Sequence, residues 1–148
     1  MLSEPIESKR RPRSSIDAKF SIPFTTGIMM AKGRVGLRDY TDEALTDPDT
    51  LAMADKVSYR PARPDEKAFP IPIVEIRTRD GRTLRAQPDV FPGSARRPVG
   101  RDFLEEKFRD CVSFSASPIA AGNIDKAIAM AWDLDQAADV RGLIALLV

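Results

Sequence analysis

The chain contains no histidine, and that limits the chemistry its side chains can do. Ser–His–Asp and Cys–His relays are excluded within it, as is any His-ligated metal. One cysteine, Cys111, cannot hold a structural zinc. Proton transfer would fall to Lys, Tyr, Cys or a carboxylate. The phenols are Tyr40 and Tyr59. Ser21 has no visible base to activate it and reads as a helix cap rather than a nucleophile. Cys111 shares helical spacing with Leu104, Phe108 and Val112 and reads as a small core residue. Arg96 and Arg97 stand side by side in Gly93-Ser94-Ala95-Arg96-Arg97-Pro98. A guanidinium is a planar fork that grips a carboxylate with two hydrogen bonds. Arginines in a Pro/Gly loop are also ordinary surface charges, so the pair alone is a weak signal.

The elements that must position these residues begin with Asp17-Ala18-Lys19-Phe20-Ser21, the lead into a helix. Ser21 caps it, and Pro23 falls in the first turn, where its missing N–H does no harm. Phe24, Ile28 and Ala31 mark one face, Lys32 lies in the last turn, and Gly33 is the stop. Met29-Met30 reads as core or interface packing. Before this helix, residues 1–15 read as an extended arm, either a solvated lead-in or a strap. Leu37 to Tyr40 reads as a connector, Thr41 as a cap on Asp42-Glu43-Ala44-Leu45, and Asp47-Pro48 as a second cap with proline at the first helical position. Leu51, Ala54 and Val57 would form that helix's buried stripe.

Val57 to Arg60 reads as a short strand carrying Tyr59. Pro61 to Pro72 reads as a loop, either a surface insertion or a piece that closes over a ligand. Ile73 to Arg79 and Thr83 to Gln87 then form an antiparallel hairpin, with Asp80-Gly81 as a two-residue turn. Val74, Ile76 and Leu84 would share one face. Asp102 leads a helix carrying Leu104, Phe108, Cys111 and Val112, widened by Phe103 and Phe114. Ser117-Pro118 starts or precedes another helix, with Asn123 as the alternative cap, and Ile124, Ala127, Ile128, Ala131 and Trp132 give it the same spacing. Asp139 would cap a last one carrying Leu143, Ile144 and Leu147. Helices around an antiparallel hairpin (about 73–87) predict an α+β fold.

D-A-K-F-S-I-P-F, the short apolar helix and G-R-V resemble the opening of the C-terminal domain of the MmgE/PrpD family, which includes 2-methylcitrate dehydratases and cis-aconitate decarboxylases. The Gly93–Pro98 loop looks like that family's Gly-His-x-x-x-Pro loop, with Ser94 where histidine is common, and the L-E-E-K-F run (Leu104 to Phe108) is also similar. The resemblance covers nearly the whole chain. It implies a single lid-like domain over 16–148, working against a larger all-helical N-terminal domain of which these residues hold none. It implies a cofactor-independent lyase (a dehydratase) or isomerase acting on a small polycarboxylate at the cleft between two domains, with most reacting groups on the helical domain. The catalytic residues stay unassigned, and the isolated chain is expected to be inactive. The substrate-binding candidates that follow are Lys19, Ser21, Tyr59, Ser94, Arg96 and Arg97. Each has a plain alternative: Lys19 as a solvated charge, Tyr59 as half-buried packing. There is one departure: the dehydratase and decarboxylase branches tend to carry histidine near Phe20, which here is read as core or pocket wall.

The bulk numbers fit one domain. A chain of 148 residues can bury ~70% of its unfolded surface. Its 23 basic and 22 acidic side chains leave a net charge of +1, which argues against a nucleic-acid partner. No apolar run suits a membrane span or a signal core, and one cysteine suits a reducing, cytoplasmic setting. A homodimer is plausible from the resemblance. The competing readings are a non-catalytic self-associating module and the remnant of a split gene.

Overall fold

The computed structural model describes residues 2–60 and 72–148, so all of the predicted 61–72 loop but Pro72 lies outside the described residues. The chain falls into two compact units, Met1–Tyr59 with Glu105–Val148, and Arg60–Leu104. Helices and a two-stranded antiparallel sheet make the fold α+β, as the sequence predicts.

In the first unit, α1 (Ile6–Arg10) replaces part of the predicted extended arm. The arm has no apolar periodicity, but Glu7 in the first turn and Lys9 and Arg10 in the last are arranged as the helix dipole prefers. Next, α2 (Ser15–Lys19) is a helix in its own right, capped by Ser14, whose Oγ accepts the Asp17 N–H at 3.1 Å. It stops before α3 (Ile22–Lys32) because Pro23 has no N–H to offer the Lys19 carbonyl. Ser21 is extended there (φ −126°, ψ 112°), and its Oγ accepts the Phe24 N–H at 3.1 Å. Gly33 closes α3 with φ 72°. Cap, proline and stop all stand where the sequence puts them.

The buried face of α3 is Pro23, Phe24, Gly27 and Ile28, not the predicted Phe24, Ile28, Ala31. Ala31 is exposed, as are Met29 and Met30. The shift follows from what α3 packs on. After 3₁₀ turns at Leu37–Tyr40 and Ala44–Thr46, the helix α4 (Pro48–Ala54) crosses Gly27, with Thr50 and Ala54 buried. The Asp47 cap accepts the Thr50 N–H at 3.3 Å, and the Ala44 N–H reaches Thr41 Oγ1 at 3.4 Å. Ala18, Phe24, Ile28 and Leu45 form the core, with Tyr40 and Leu51 against it. Removing a fully buried Phe such as Phe24 costs about 3–5 kcal/mol in comparable cores. Val57 to Arg60 is not a strand; the Val57 carbonyl is taken by the Arg10 guanidinium at 2.7 Å instead of by a ladder.

Helices α5 (Arg101–Val112), α6 (Ala121–Trp132) and α7 (Arg141–Ala145) complete the helical part. Ala127 and Ile128 are buried on α6 as predicted. Ala120, not Asn123, is the N-cap of α6, with Asn123 already inside the first turn. Asp139 does cap α7, from one residue further upstream than the N-cap: its Oδ1 accepts the Arg141 N–H at 2.9 Å. Cys111 is exposed rather than a core residue, because α5 buries none of its side chains. Its apolar spacing marks an uncovered face: Phe103, Leu104 and Phe114 are all exposed. Phe20 is exposed as well, not core.

In the second unit, β1 (Val74–Arg77) pairs with β2 (Thr83–Ala86) in the register Ile76↔Leu84 and Val74↔Ala86. The turn has three residues, not two. Gly81 N–H donates to the Thr78 carbonyl at 3.1 Å, Thr78 N–H donates to the Arg82 carbonyl at 2.9 Å, and Gly81 has φ 86°. A two-residue Asp80-Gly81 turn would pair Ile76 with Arg85. The extra residue sets Ile76 against Leu84, so apolar matching selects the bulged turn. Val74 and Leu84 on this face are half exposed.

Candidate functional site

Three of the six predicted residues lie in the first unit: Lys19 and Ser21 just before α3, and Tyr59 after α4. Lys19 ends α2 and is exposed. Ser21 is buried, and its hydroxyl is used on both sides: Oγ accepts from Phe24 N–H and donates to the Lys9 carbonyl. Its role is therefore the cap. Tyr59 is half-buried and donates its hydroxyl to the Glu4 carboxylate. That bond to an anion is the main cause holding the Tyr59 pKa above the usual phenol value.

Ser94, Arg96 and Arg97 belong to the second unit. Their loop is pinned by its own backbone: Gly93 N–H donates to the Arg97 carbonyl at 2.8 Å and Arg97 N–H to the Ser94 carbonyl at 3.0 Å. The Ser94 hydroxyl donates to the Phe91 carbonyl at 2.8 Å. Arg96 and Arg97 are exposed. The loop thus presents two guanidiniums on a fixed turn, an arrangement suited to a carboxylate.

Sequence reasoning missed a third cluster. Lys32 Nζ lies 3.0 Å from Asp39 Oδ1 and 3.4 Å from Asp47 Oδ2. Asp39 is buried, and its other oxygen accepts the Gly36 N–H at 2.8 Å. Asp47 Oδ2 also accepts the Thr50 hydroxyl at 2.5 Å. The hydrogen bond to Asp39 leads in raising the Lys32 pKa. The Thr50 hydroxyl, followed by the Lys32 charge, lowers that of Asp47. Next to this cluster an open cleft of about 460 Å³ is lined by Lys32, Arg38, Thr41, Glu43, Asp47, Ser113 and Phe114, among others. Arg38 stacks on the Phe114 ring, 5.7 Å from its centre. The only signals in the sequence were local: Lys32 as a last-turn cation and Asp47 as a cap. Three partners from three elements leave no spacing to read.

Chemically, these groups hold charge and do not exchange it. Lys32 stays cationic and Asp47 anionic through neutral pH, and Tyr59 keeps its proton, so none is poised as an acid or base near pH 7. Among the described residues no three His, Cys, Asp or Glu side chains converge as a metal-ligand set, and no helix is long and apolar enough to cross a membrane.

No curated protein matches the chain. The family model described as the MmgE/PrpD C-terminal domain matches residues 3–134. That span takes in the Lys19–Ser21 lead of α3, the hairpin and the Ser94–Arg97 loop, and on it the chain belongs to the MmgE/PrpD family, as a C-terminal domain.

Proposed function

We propose that this chain is the lid-like domain, over residues 16–148, of an MmgE/PrpD-type lyase or isomerase acting on a small polycarboxylate. In this reading it contributes binding cations, and a helical N-terminal domain contributes the groups that move protons. The supporting observation is the character of the six candidate residues. Lys19, Arg96 and Arg97 are exposed cations, while the Ser21, Ser94 and Tyr59 hydroxyls are committed to the chain's own acceptors. Cations of this kind suit carboxylates, and the three hydroxyls are not free to serve as acid and base. No cofactor enters the reading, and the single thiol fits a cytoplasmic setting. Isothermal titration with tricarballylate, an unreactive tricarboxylate, tests it. Weak binding that is lost in Lys19→Ala and in Arg96→Ala/Arg97→Ala supports the reading. Binding unchanged by either variant contradicts it.

A second reading, a self-associating module, is favoured by a separate observation. In the first unit, Phe114, Trp132, Val140 and Ile144 each expose a large apolar side chain, and exposed apolar surface can serve association. Light scattering tests this second reading: a homodimer supports it, and a monomer contradicts it.

A further inference from the structure

The sheet of the second unit has two open sides. Among the described residues β1 and β2 are its only strands, so each has a strand neighbour on one side alone. All of their residues are exposed except Ile76, which is half-buried. A hairpin with so little cover is marginal by itself, and an open strand edge is a template for a further strand.

The edge of β1 suits a second copy of this chain. Thr78 N–H bonds across the hairpin to the Arg82 carbonyl at 2.9 Å. Backbone groups alternate in direction along a ladder. Those of Val74 and Ile76 therefore turn toward Ala86 and Leu84 on β2, and those of Glu75 and Arg77 face the open side. An antiparallel strand on this edge must bond to Glu75 and Arg77. Centred on Ile76, a two-fold pair of β1 strands sets Glu75 opposite Arg77 of the second copy, Arg77 opposite its Glu75, and Ile76 against Ile76. Centred instead on Glu75 or on Arg77, it sets like charges directly opposite each other, which is destabilising. Arg85 already lies 3.6 Å from Glu75 across the hairpin. The row across the joined sheet then alternates in sign: Arg85, Glu75, Arg77 of the second copy. The other edge has no such match, because β2 carries no acidic residue.

We propose that the open edge of β1 pairs with β1 of a second copy, antiparallel and centred on Ile76, in one continuous sheet. The proposal rests on the self-association reading and places the contact on a strand edge rather than on the exposed apolar side chains of the first unit. Charge selects the register, and the Ile76 pair adds an apolar contact between the Leu84 side chains of the two copies.

Light scattering of the full chain over a concentration series gives the dissociation constant of the dimer, and two charge variants test the register. Arg77→Glu places an acid opposite Glu75 of the second copy; within the hairpin this position faces Thr83, so no like charge is created there. Glu75→Lys/Arg85→Glu places a base opposite Arg77 of the second copy and keeps an ion pair within the hairpin. Each variant alone weakens the dimer about tenfold or more. An equal mixture of the two returns it to near the parent strength, since each chain then supplies the charge that the other lacks. A parent that is monomeric throughout the series overturns this edge and the self-association reading together. A parent dimer that neither variant weakens overturns the edge and leaves self-association standing. Weakening with no recovery on mixing overturns the register, and with it the proposal.

Discussion

A Cβ built on Gly27 would lie 2.7 Å from the Thr50 carbonyl oxygen and 2.9 Å from the Ala54 nitrogen. Helices α3 and α4 therefore meet backbone to backbone, and the atoms in the way cannot swing aside. Gly27→Ala must push the helices apart over the Phe24–Ile28 core. Overpacking of this kind costs about 1–3 kcal/mol. Chemical denaturation should show the midpoint falling in Gly27→Ala, with the slope unchanged. A variant as stable as the parent would mean that the helices do not cross at Gly27.

The Ser21 cap is the second expected weak point. Its Oγ serves Phe24 N–H and the Lys9 carbonyl together. Ser21→Ala leaves both without that partner and should cost about 1–2 kcal/mol. Ser21→Gly should cost less, because the cap geometry survives. A Ser21→Ala variant as stable as the parent would show that the hydroxyl is not the capping group.

The Lys32–Asp39–Asp47 cluster predicts a pH dependence with a definite sign. The Asp47 pKa is lowered from 3.8, so its stabilisation is present above that value and fades as pH falls through the folded pKa. The Lys32 pKa is raised from 10.5, so its share is present below that value and fades as pH rises through the folded pKa. Across neutral pH both contributions are flat. Asp47→Asn keeps an acceptor for Thr50 but removes the charge. Its stability deficit against the parent should be constant near neutrality and narrow as pH drops below 3.8. A deficit that widens in acid would refute the assignment.

The hairpin register gives a fourth prediction. Gly81 sits at φ 86°, where a β-branched side chain is strained. Gly81→Val should destabilise Arg60–Leu104, and cross-strand NMR contacts between Ile76 and Leu84 should weaken. Gly81→Asn should be better tolerated, since Asn adopts this conformation more readily. Contacts between Ile76 and Arg85 in the parent would instead indicate the two-residue turn.

Much of this was legible in the sequence because it is local. Ser21, Pro23 and Gly33 bracket α3, Asp47-Pro48 starts α4, and Asp80-Gly81 marks the turn; each signal acts within a few residues. What was not legible depends on distant partners. Ala31 and Gly27 are equally small, and only α4 decides which is covered. Cys111 has the spacing of a buried face, but spacing cannot say whether anything lies against it. The turn was placed correctly and miscounted by one residue, because pairing Ile76 with Leu84 is a demand of the strands, not of the turn. At the site, the types of Lys19, Arg96 and Arg97 were readable, but the burial of Ser21 needed the Lys9 carbonyl to come back across α3.

Turnover tests the central claim most directly: that the chain supplies binding charge while the reactive groups sit elsewhere. The isolated chain is incubated with 2-methylcitrate and with cis-aconitate, alone and together with a family helical domain, and consumption of substrate is followed. The account predicts no turnover by the chain alone, turnover on mixing, and a reduced rate when Lys19→Ala replaces the parent. Turnover by the chain alone would contradict it.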